Sequence, residues 1–382
     1  MVKFSRPAPW QTVPSSSPRK SFVGANECAA RRRVLGRQLV EHDLDALVVS
    51  SGPNVRYLTG YTGSNGLAVL LPDRTMFFTD PRYRIQAAQE VDCSVRVVSG
   101  PMLPHVAQYL RRIKSRRIGF EKSHMTVEAH QTLKDALPMR SSLEPVVGWI
   151  ERQRAVKSHQ EISAIRRSVE LNSQAYEQTA KHIRPGMRES ELAAELDYRM
   201  RRQGAEGPAF ETIVAAGART ALPHARPTSA TLRGGALVLV DMGAMLDGYA
   251  SDMTRMLFLG RPGTRVKRAY HAVLEAQLAA IDAVHGGVRA QAVDRAARRV
   301  LAGHGLAREF VHSTGHGLGL EIHEPPRIGK KEKTPLLSGM TITIEPGVYL
   351  EGFGGIRIED TVAVTDNGCE VLTPTSKELR IL

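Results

Sequence analysis

Three histidines stand close together in the segment HSTGHGLGLEIHEPP, which covers residues 312–326. They are His312, His316 and His323, and the glycines between them allow the backbone to approach its neighbours closely. A neutral imidazole is the commonest protein ligand of transition metals and the usual proton shuttle near neutral pH. Each histidine alone could be an ordinary hydrogen-bonded residue. Three in one loop-rich segment indicate a metal-binding or catalytic site.

Two acids flank a predicted hairpin in the same half of the chain. Asp241 ends a short apolar run, and Asp252 lies in the next extended segment, which begins after the turn residues Asp247 and Gly248. With the hairpin centred between residues 246 and 247, the two acids face each other directly, with Cβ atoms roughly 4.5–5.5 Å apart. Two carboxylates at that distance repel each other unless they share a proton or a cation lies between them.

Two further acids alternate with isoleucines in strand-like sequence. Glu345 stands on the face opposite Ile342 and Ile344, and the same period places Arg357 and Glu359 together, opposite Ile356 and Ile358. Any one of these acids alone could be a solvated strand-face residue. Four carboxylates and one imidazole, however, form an oxygen-rich set that suits manganese, magnesium or cobalt. Such a set is large enough to bridge two cations, an arrangement used for hydrolysis.

Helices and strands must bring these residues together. Alternating helical and strand-like segments before residue 150 predict an α/β layered domain. The predicted helices there are 27–43, 81–90, 103–113 and 127–137, the strands are 46–49, 67–71, 76–79, 95–98, 118–120 and 146–147, and 52–66 is turn-rich. Ser158 and Glu161 form a capping-box pattern that predicts a helix to about Ile183. Helices are also predicted over 189–203, 266–284 and 290–301, in a part otherwise rich in strands.

Composition limits the class of protein. A length of 382 residues predicts two or three domains, and the chain contains no apolar run long enough to span a bilayer. The start of the chain lacks the apolar middle of a secretory signal, so we expect a cytoplasmic protein. Three widely spaced cysteines argue against a disulfide framework or a thiolate zinc site. The net charge of +13 would favour polyanions, but no aromatics interleave the basic clusters, which favours a solvated face over nucleic-acid binding.

The chain resembles the Xaa-Pro peptidases, the aminopeptidase P and prolidase branch of the dinuclear metallopeptidases with the pita-bread fold. The segments that carry the resemblance are Asp241-Met-Gly, Ser-Asp252-Met-Thr-Arg, Gly315-His316-Gly, Glu345-Pro-Gly and Arg-Ile-Glu359-Asp, in that order. It implies an α+β fold with a creatinase/prolidase-type α/β domain over 25–150 and a pita-bread catalytic domain over 151–382. The preceding segment, 1–24, is a tail that departs from the family pattern. The tail is basic and Pro/Ser-rich, and we expect it to be flexible.

The resemblance also implies roles for the site residues. The residues Asp241, Asp252, His316, Glu345 and Glu359 would bind two divalent metal ions, with Mn²⁺ expected and Co²⁺ or Zn²⁺ as alternatives. A hydroxide bridging the metals would attack the Xaa-Pro carbonyl, with Glu345 handling its proton. His224 and His323 match substrate-binding and proton-transfer histidines, His312 matches a histidine typical of the proline-specific branch, and Arg357 matches an arginine near the metals.

Three functions remain open on the sequence. The first is an Xaa-Pro aminopeptidase, which acts on peptides with proline in second position. The second is a prolidase restricted to dipeptides, and the third is a non-catalytic relative that binds protein or nucleic acid. The presence of all five ligands disfavours the third, and it equally disfavours a creatinase-like enzyme that shares the fold without metals. We expect a homodimer and no membrane partner.

Overall fold

The structure is a computed structural model that describes residues 25–382, so the predicted tail over 1–24 lies outside the described residues. The first part of the chain builds one mixed sheet flanked by helices. Its helices are α1 Ala25–Glu41, α2 Gly52–Thr59, α3 Arg84–Glu90, α4 Met102–Arg112, α5 Val127–Ala136 and α6 Trp149–Ala155, with a 3₁₀ turn over Pro81–Tyr83. Its strands are β1 Ala46–Val49, β2 Leu67–Leu70, β3 Thr75–Thr79, β4 Ser94–Val97, β5 Arg117–Glu121 and β6 Ser142–Val146.

The six strands pair in the order β4-β3-β2-β1-β5-β6. Strand β1 pairs parallel with β5 and antiparallel with β2. Its residues alternate between two cores, because Leu47 and Val49 pack on one face and Ala46 and Val48 on the other. A strand buried on both faces reads as a continuous apolar run, which is why it could be predicted. The predicted α/β layering is confirmed.

Helix α2 corrects part of the prediction that residues 52–66 are turn-rich, because residues 52–59 are helical. Pro53 lies in the first helical turn, where its missing N–H costs no intrahelical hydrogen bond. Gly60 closes the helix in the left-handed conformation, with φ 76°. Pro53 and Gly60 are therefore the start and stop signals of a short helix.

The second part of the chain contains longer helices and smaller sheets. Its helices are α7 His159–Ala180, α8 Glu189–Arg202, α9 Thr264–Asp282 and α10 Ala290–Gly303, with a 3₁₀ turn over Gly217–Ala221. Its strands are β7 Gly207–Pro208, β8 Ile213–Ala216, β9 Leu237–Met242, β10 Ala244–Leu246, β11 Tyr249–Ala250, β12 Met253–Phe258, β13 Gly315–Gly317, β14 Glu324–Ile328, β15 Thr341–Ile344, β16 Gly347–Leu350, β17 Gly354–Arg357, β18 Asp360–Thr365, β19 Gly368–Val371 and β20 Arg380–Ile381. Ser158 caps α7 in the predicted capping box with Glu161.

These strands form four sheets. Their orders are β11-β10-β7, β20-β12-β9-β8, β14-β13-β15-β18-β19 and β16-β17. In β9, Val238 and Val240 pack with helices α7 and α8, whereas Leu237 and Leu239 face the core that contains α9 and α10. Asp241 continues the second face, so the strand carries an acid directly beyond its apolar residues.

Cys28, Cys93 and Cys369 are free thiols. Within residues 25–382, no helix combines the length and apolar character that a bilayer crossing requires.

Candidate metal centre

The four acids predicted from the sequence line one cavity of about 870 Å³, and His316 lines it with them. They come from separate elements of the second part of the chain: Asp241 from β9, Asp252 from the residue before β12, Glu345 from the residue after β15, and Glu359 from the link between β17 and β18. The site is thus assembled from strand ends that are far apart in sequence.

The register of the hairpin between β9 and β12 differs from the prediction. Asp247 and Gly248 both have positive φ, at 50° and 76°, which is the pattern of a two-residue type I′ turn. The turn centre therefore lies one residue later than predicted, and Asp241 pairs with Thr254. The prediction that Asp241 lies directly opposite Asp252 is wrong. Because the partner changes by two residues, however, both acids stay on one face.

The Nε2 atom of His316 faces two of the acids, Asp252 and Glu345. That atom is 3.5 Å from both Asp252 Oδ2 and Glu345 Oε1. The other ring nitrogen, Nδ1, is 3.0 Å from the carbonyl oxygen of Gly317, so an N–H there can donate while Nε2 keeps a free lone pair. Burial lowers the pKa of His316 to about 4, so the imidazole is neutral near pH 7, as a metal ligand must be.

Glycine at position 315 lets the strand carrying His316 lie close to β15. A Cβ on Gly315 would be 1.9 Å from the carbonyl oxygen of Thr343, a distance no side chain can occupy. The backbone N–H of His316 donates to Thr343 Oγ1 at 3.1 Å, and the N–H of Glu345 donates to the carbonyl of Thr314 at 2.7 Å. These contacts fix His316 and Glu345 relative to each other.

The arrangement fits divalent metal ions. Asp252, His316 and Glu359 each offer one ligand atom, and these atoms lie within 4.8 Å of one another. Asp241 Oδ1 is buried without a hydrogen-bond partner among the described residues. A buried carboxylate oxygen without a partner raises the free energy of the folded state unless a cation lies beside it.

The electrostatics lead to the same conclusion. Burial and then the neighbouring carboxylates raise the pKa of Asp252 and of Glu359 well above the ordinary range. Burial also raises the pKa of Glu345, to about 7, although Arg357 opposes the shift. In the absence of cations, the protonated forms of these acids are favoured, because the carboxylates would repel one another. Divalent ions would replace those protons.

Arg357 is the buried cation of the site. Its Nη2 is 2.6 Å from Asp241 Oδ2, and its Nε donates to Thr254 Oγ1 at 3.0 Å. Its Nη1 donates to Tyr349 OH at 2.8 Å and to the carbonyl of Pro223 at 3.1 Å. One guanidinium therefore orients an acid ligand and joins three other segments around it.

Two residues of the site were missed by the sequence reasoning. Thr254 Oγ1 donates to Glu359 Oε2 at 2.7 Å. Tyr349 OH lies 3.0 Å from His312 Nε2, so the tyrosine joins that histidine to Arg357. Strand periodicity could have found Thr254, since it is two residues after Asp252 and shares its face. No spacing signal marks Tyr349.

The other three histidines predicted for the site, His224, His312 and His323, also line the cavity. The ring centroid of His323 is 4.5 Å from that of His316. Burial lowers the pKa of His323, and it lowers that of His312 to about 4. His224 follows Pro223, whose carbonyl is held by Arg357. The structure therefore brings every predicted site residue into one cavity.

Comparison with known proteins adds independent information. Residues 163–366 match the model of metallopeptidase family M24, and residues 31–156 match the creatinase/prolidase N-terminal domain. An Xaa-Pro dipeptidase of Pyrococcus horikoshii is 36% identical over 89% of this chain and 95% of its own length. An Xaa-Pro dipeptidase structure from Bacillus anthracis is 36% identical, with a TM-score of 0.90 over 94% of this chain and all of that one. An X-Pro aminopeptidase structure from Thermotoga maritima is 34% identical, with a TM-score of 0.85 over 91% of this chain and all of that one.

Proposed function

Because the chain belongs to metallopeptidase family M24, we propose that it hydrolyses the peptide bond between an amino-terminal residue and proline. The observation that carries the proposal is the meeting of four carboxylates and His316 in one cavity. The resemblance to Xaa-Pro peptidases is confirmed, as is the α+β fold with a pita-bread catalytic domain and a creatinase/prolidase-type N-terminal domain.

Divalent metal ions are part of the chemistry of this family, and we propose that two of them bind here. The proposed ligands are Asp241, Asp252, His316, Glu345 and Glu359. This oxygen-rich set with one imidazole supports Mn²⁺, with Co²⁺ or Zn²⁺ as alternatives. When bound, such ions activate water and stabilise the negative charge of the oxyanion.

Protein side chains would carry the protons of the reaction. Glu345 is the proposed acceptor of the proton of the attacking water, because its carboxyl lies at the wall of the cavity beside His316. An Xaa-Pro bond has no N–H on its nitrogen, so that nitrogen must be protonated as it leaves. His224 and His323 are the proposed donors to this nitrogen and to the tetrahedral oxyanion. His312 would position the substrate, and Arg357 would position Asp241.

Relatives favour a dipeptidase over the aminopeptidase that the sequence resemblance placed first. The Pyrococcus horikoshii and Bacillus anthracis proteins, each 36% identical, are both named Xaa-Pro dipeptidases. Arg226 and Arg327 line the same cavity, and a guanidinium suits the free carboxylate of a carboxy-terminal proline. The aminopeptidase stays as the second candidate because the Thermotoga maritima neighbour carries that name.

An assay on metal-stripped protein refilled with Mn²⁺, Co²⁺ or Zn²⁺ tests the proposal. Cleavage of Gly-Pro without cleavage of Gly-Pro-Ala indicates a dipeptidase, and release of glycine from Gly-Pro-Ala indicates an aminopeptidase. Gly-Ala serves as the proline-free control. No cleavage of either proline peptide with any of the three metals would overturn the proposed function.

We also propose a cytoplasmic homodimer that does not bind nucleic acid. Free thiols at all three cysteines suit a reducing compartment. The non-catalytic alternative would be supported by salt-dependent binding to DNA or RNA in a protein that shows no metal-dependent hydrolysis. Sedimentation of the purified chain would decide the oligomeric state.

A further inference from the structure

Glu324 is a buried carboxylate directly after His323, and no step proposed so far uses it. Its side chain is 2% exposed, and its oxygens lie 2.5 Å from Arg154 Nη2 and 3.1 Å from Lys157 Nζ. Burial would raise the pKa of Glu324, but Lys157 and Arg154 hold it below its ordinary value. Glu324 is therefore a charged group that depends on two buried cations.

The same ion pair holds the loop that carries His323. Arg154 Nη2 also donates to Glu321 Oε2 at 2.8 Å, and the backbone N–H of Glu321 donates to Glu324 Oε1 at 3.1 Å. Gly319 packs so tightly on this carboxylate that a Cβ there would lie 2.8 Å from Glu324 Oε1. The chain on both sides of His323 is thus tied to one guanidinium.

That guanidinium is anchored in the N-terminal domain. Arg154 lies on α6, and its Nη1 donates to Asn54 Oδ1 at 2.7 Å. Asn54 Nδ2 in turn donates to Glu121 Oε1 at 2.7 Å, and Glu121 Oε2 accepts the backbone N–H groups of residues 50–51 at 2.6 and 2.8 Å. A buried chain of hydrogen bonds therefore runs from the carboxyl ends of β1 and β5 to the loop of His323.

We propose that Arg154 is a positioning residue that holds His323 in the cavity through Glu324, so that the N-terminal domain supports catalysis without touching the substrate. The proposal rests on the proposed hydrolase function, in which His323 meets the substrate. Lys157 completes the arrangement by neutralising the second oxygen of Glu324. Without Arg154, the loop would lose contacts at both Glu321 and Glu324, and the imidazole of His323 would no longer have one fixed position.

Arg154→Met tests this role, with Arg31→Met as the matched control. Arg31 forms another buried ion pair between the two parts of the chain, with Nη2 3.0 Å from Glu161 Oε2 and side chains 6% and 3% exposed. We expect Arg154→Met to lower kcat for Gly-Pro by about 10- to 100-fold, with a smaller change in KM. Arg31→Met should lower stability and leave both constants near those of the wild type. Equal losses of kcat in the two variants would overturn the proposal.

A double-mutant cycle separates positioning from general destabilisation. In a His323→Ala background, Arg154→Met should cause no further loss of kcat, because the residue on which Arg154 acts is already absent. A full further loss would show that Arg154 acts elsewhere. Arg154→Lys keeps the charge and should recover part of the activity that Arg154→Met loses. If Arg154→Met fails to fold, the single variants Arg154→Lys and Glu324→Gln take its place in these tests.

Hydrogen exchange gives a readout that does not require peptidase activity. On manganese-loaded protein, the backbone amides of residues 319–324 should exchange faster in Arg154→Met than in wild type or Arg31→Met. Unchanged exchange there would overturn the positioning role whatever the reaction. Faster exchange in a protein that cleaves no Xaa-Pro peptide would instead count against the proposed function while confirming that Arg154 orders the loop.

Discussion

Arg357 and Asp241 form a buried ion pair in which Nη2 lies 2.6 Å from Oδ2. The second oxygen of Asp241 has no hydrogen-bond partner among the described residues and remains available for a cation. The guanidinium thus determines which edge of the carboxylate can act as a ligand. Such outer partners commonly fix the orientation of the residues that bind a metal.

Arg357→Lys should lower kcat/KM for Gly-Pro by about 10- to 100-fold at saturating Mn²⁺. A single ammonium cannot reach Asp241, Thr254, Tyr349 and the carbonyl of Pro223 at the same time. Steady-state kinetics of the two enzymes measures the effect. Arg166→Lys is the control, because Arg166 pairs with Glu370 at an exposed position. Similar kinetics of Arg357→Lys and wild type would contradict the orienting role.

Thr254→Val should weaken metal binding by about 10- to 100-fold. The substitution keeps the shape but removes the hydroxyl that donates to Glu359 Oε2 and accepts from Arg357 Nε. Titration of metal-free protein with Mn²⁺ gives the affinity. Thr179→Val removes a buried hydroxyl that donates within helix α7 to the carbonyl of Ala175, and it should leave the affinity unchanged. Matching affinities in Thr254→Val and Thr179→Val would refute the assignment.

Glu345→Gln should reduce kcat by about 10³-fold or more while the fold is retained. The amide cannot accept the proton of the attacking water, and it removes one negative charge from the cavity. The measurement is single-turnover cleavage of Gly-Pro at equal metal occupancy, with circular dichroism to verify the fold. Activity near that of the wild type would exclude Glu345 as the proton acceptor.

Glu324 should contribute to acid sensitivity. Its pKa in the folded protein lies below the ordinary value of 4.5, so the unfolded chain binds the proton more readily than the folded one. The stabilisation is present above about pH 4.5 and is lost as the pH falls through the lower folded value.

Urea unfolding of metal-free wild type and Glu324→Gln measures this contribution. Between about pH 6.5 and pH 3.5, the wild type should lose more unfolding free energy than the variant, which lacks the titrating group. Glu351→Gln, at an exposed position, should follow the wild type. A steeper acid loss in Glu324→Gln than in wild type would reverse the expected sign.

Strand periodicity was sufficient to predict much of the site. Ile342 and Ile344 enter the core while Glu345 lines the cavity, and Ile356 and Ile358 do the same beside Glu359. A period of two residues decides which face a side chain takes, whatever the neighbouring strands are. For this reason the predicted faces are correct, although the pairing of strands was unknown.

Strand periodicity could not predict the pairing register of the strands or the uncharged partners of the site residues. A shift of one residue in the turn at Asp247 changed the partner of Asp241 from Asp252 to Thr254, because the turn type depends on backbone angles that the residues allow but do not dictate. The role of Tyr349 could not be predicted because it comes from contacts with Arg357 and His312 that no periodicity indicates. The role of Arg154 could not be predicted because Glu321 and Glu324 lie 167 and 170 residues further along the chain.

The close approach of β13 and β15 depends on the absence of a Cβ atom at Gly315. Since a Cβ at Gly315 would lie 1.9 Å from the carbonyl oxygen of Thr343, even alanine there would force the two strands apart. The separation between the imidazole of His316 and the carboxylate of Glu345 is therefore set by the smallest side chain in the sequence rather than by any reactive group. Selectivity for an ion of a given radius could be lost through a single methyl group that never touches the ion.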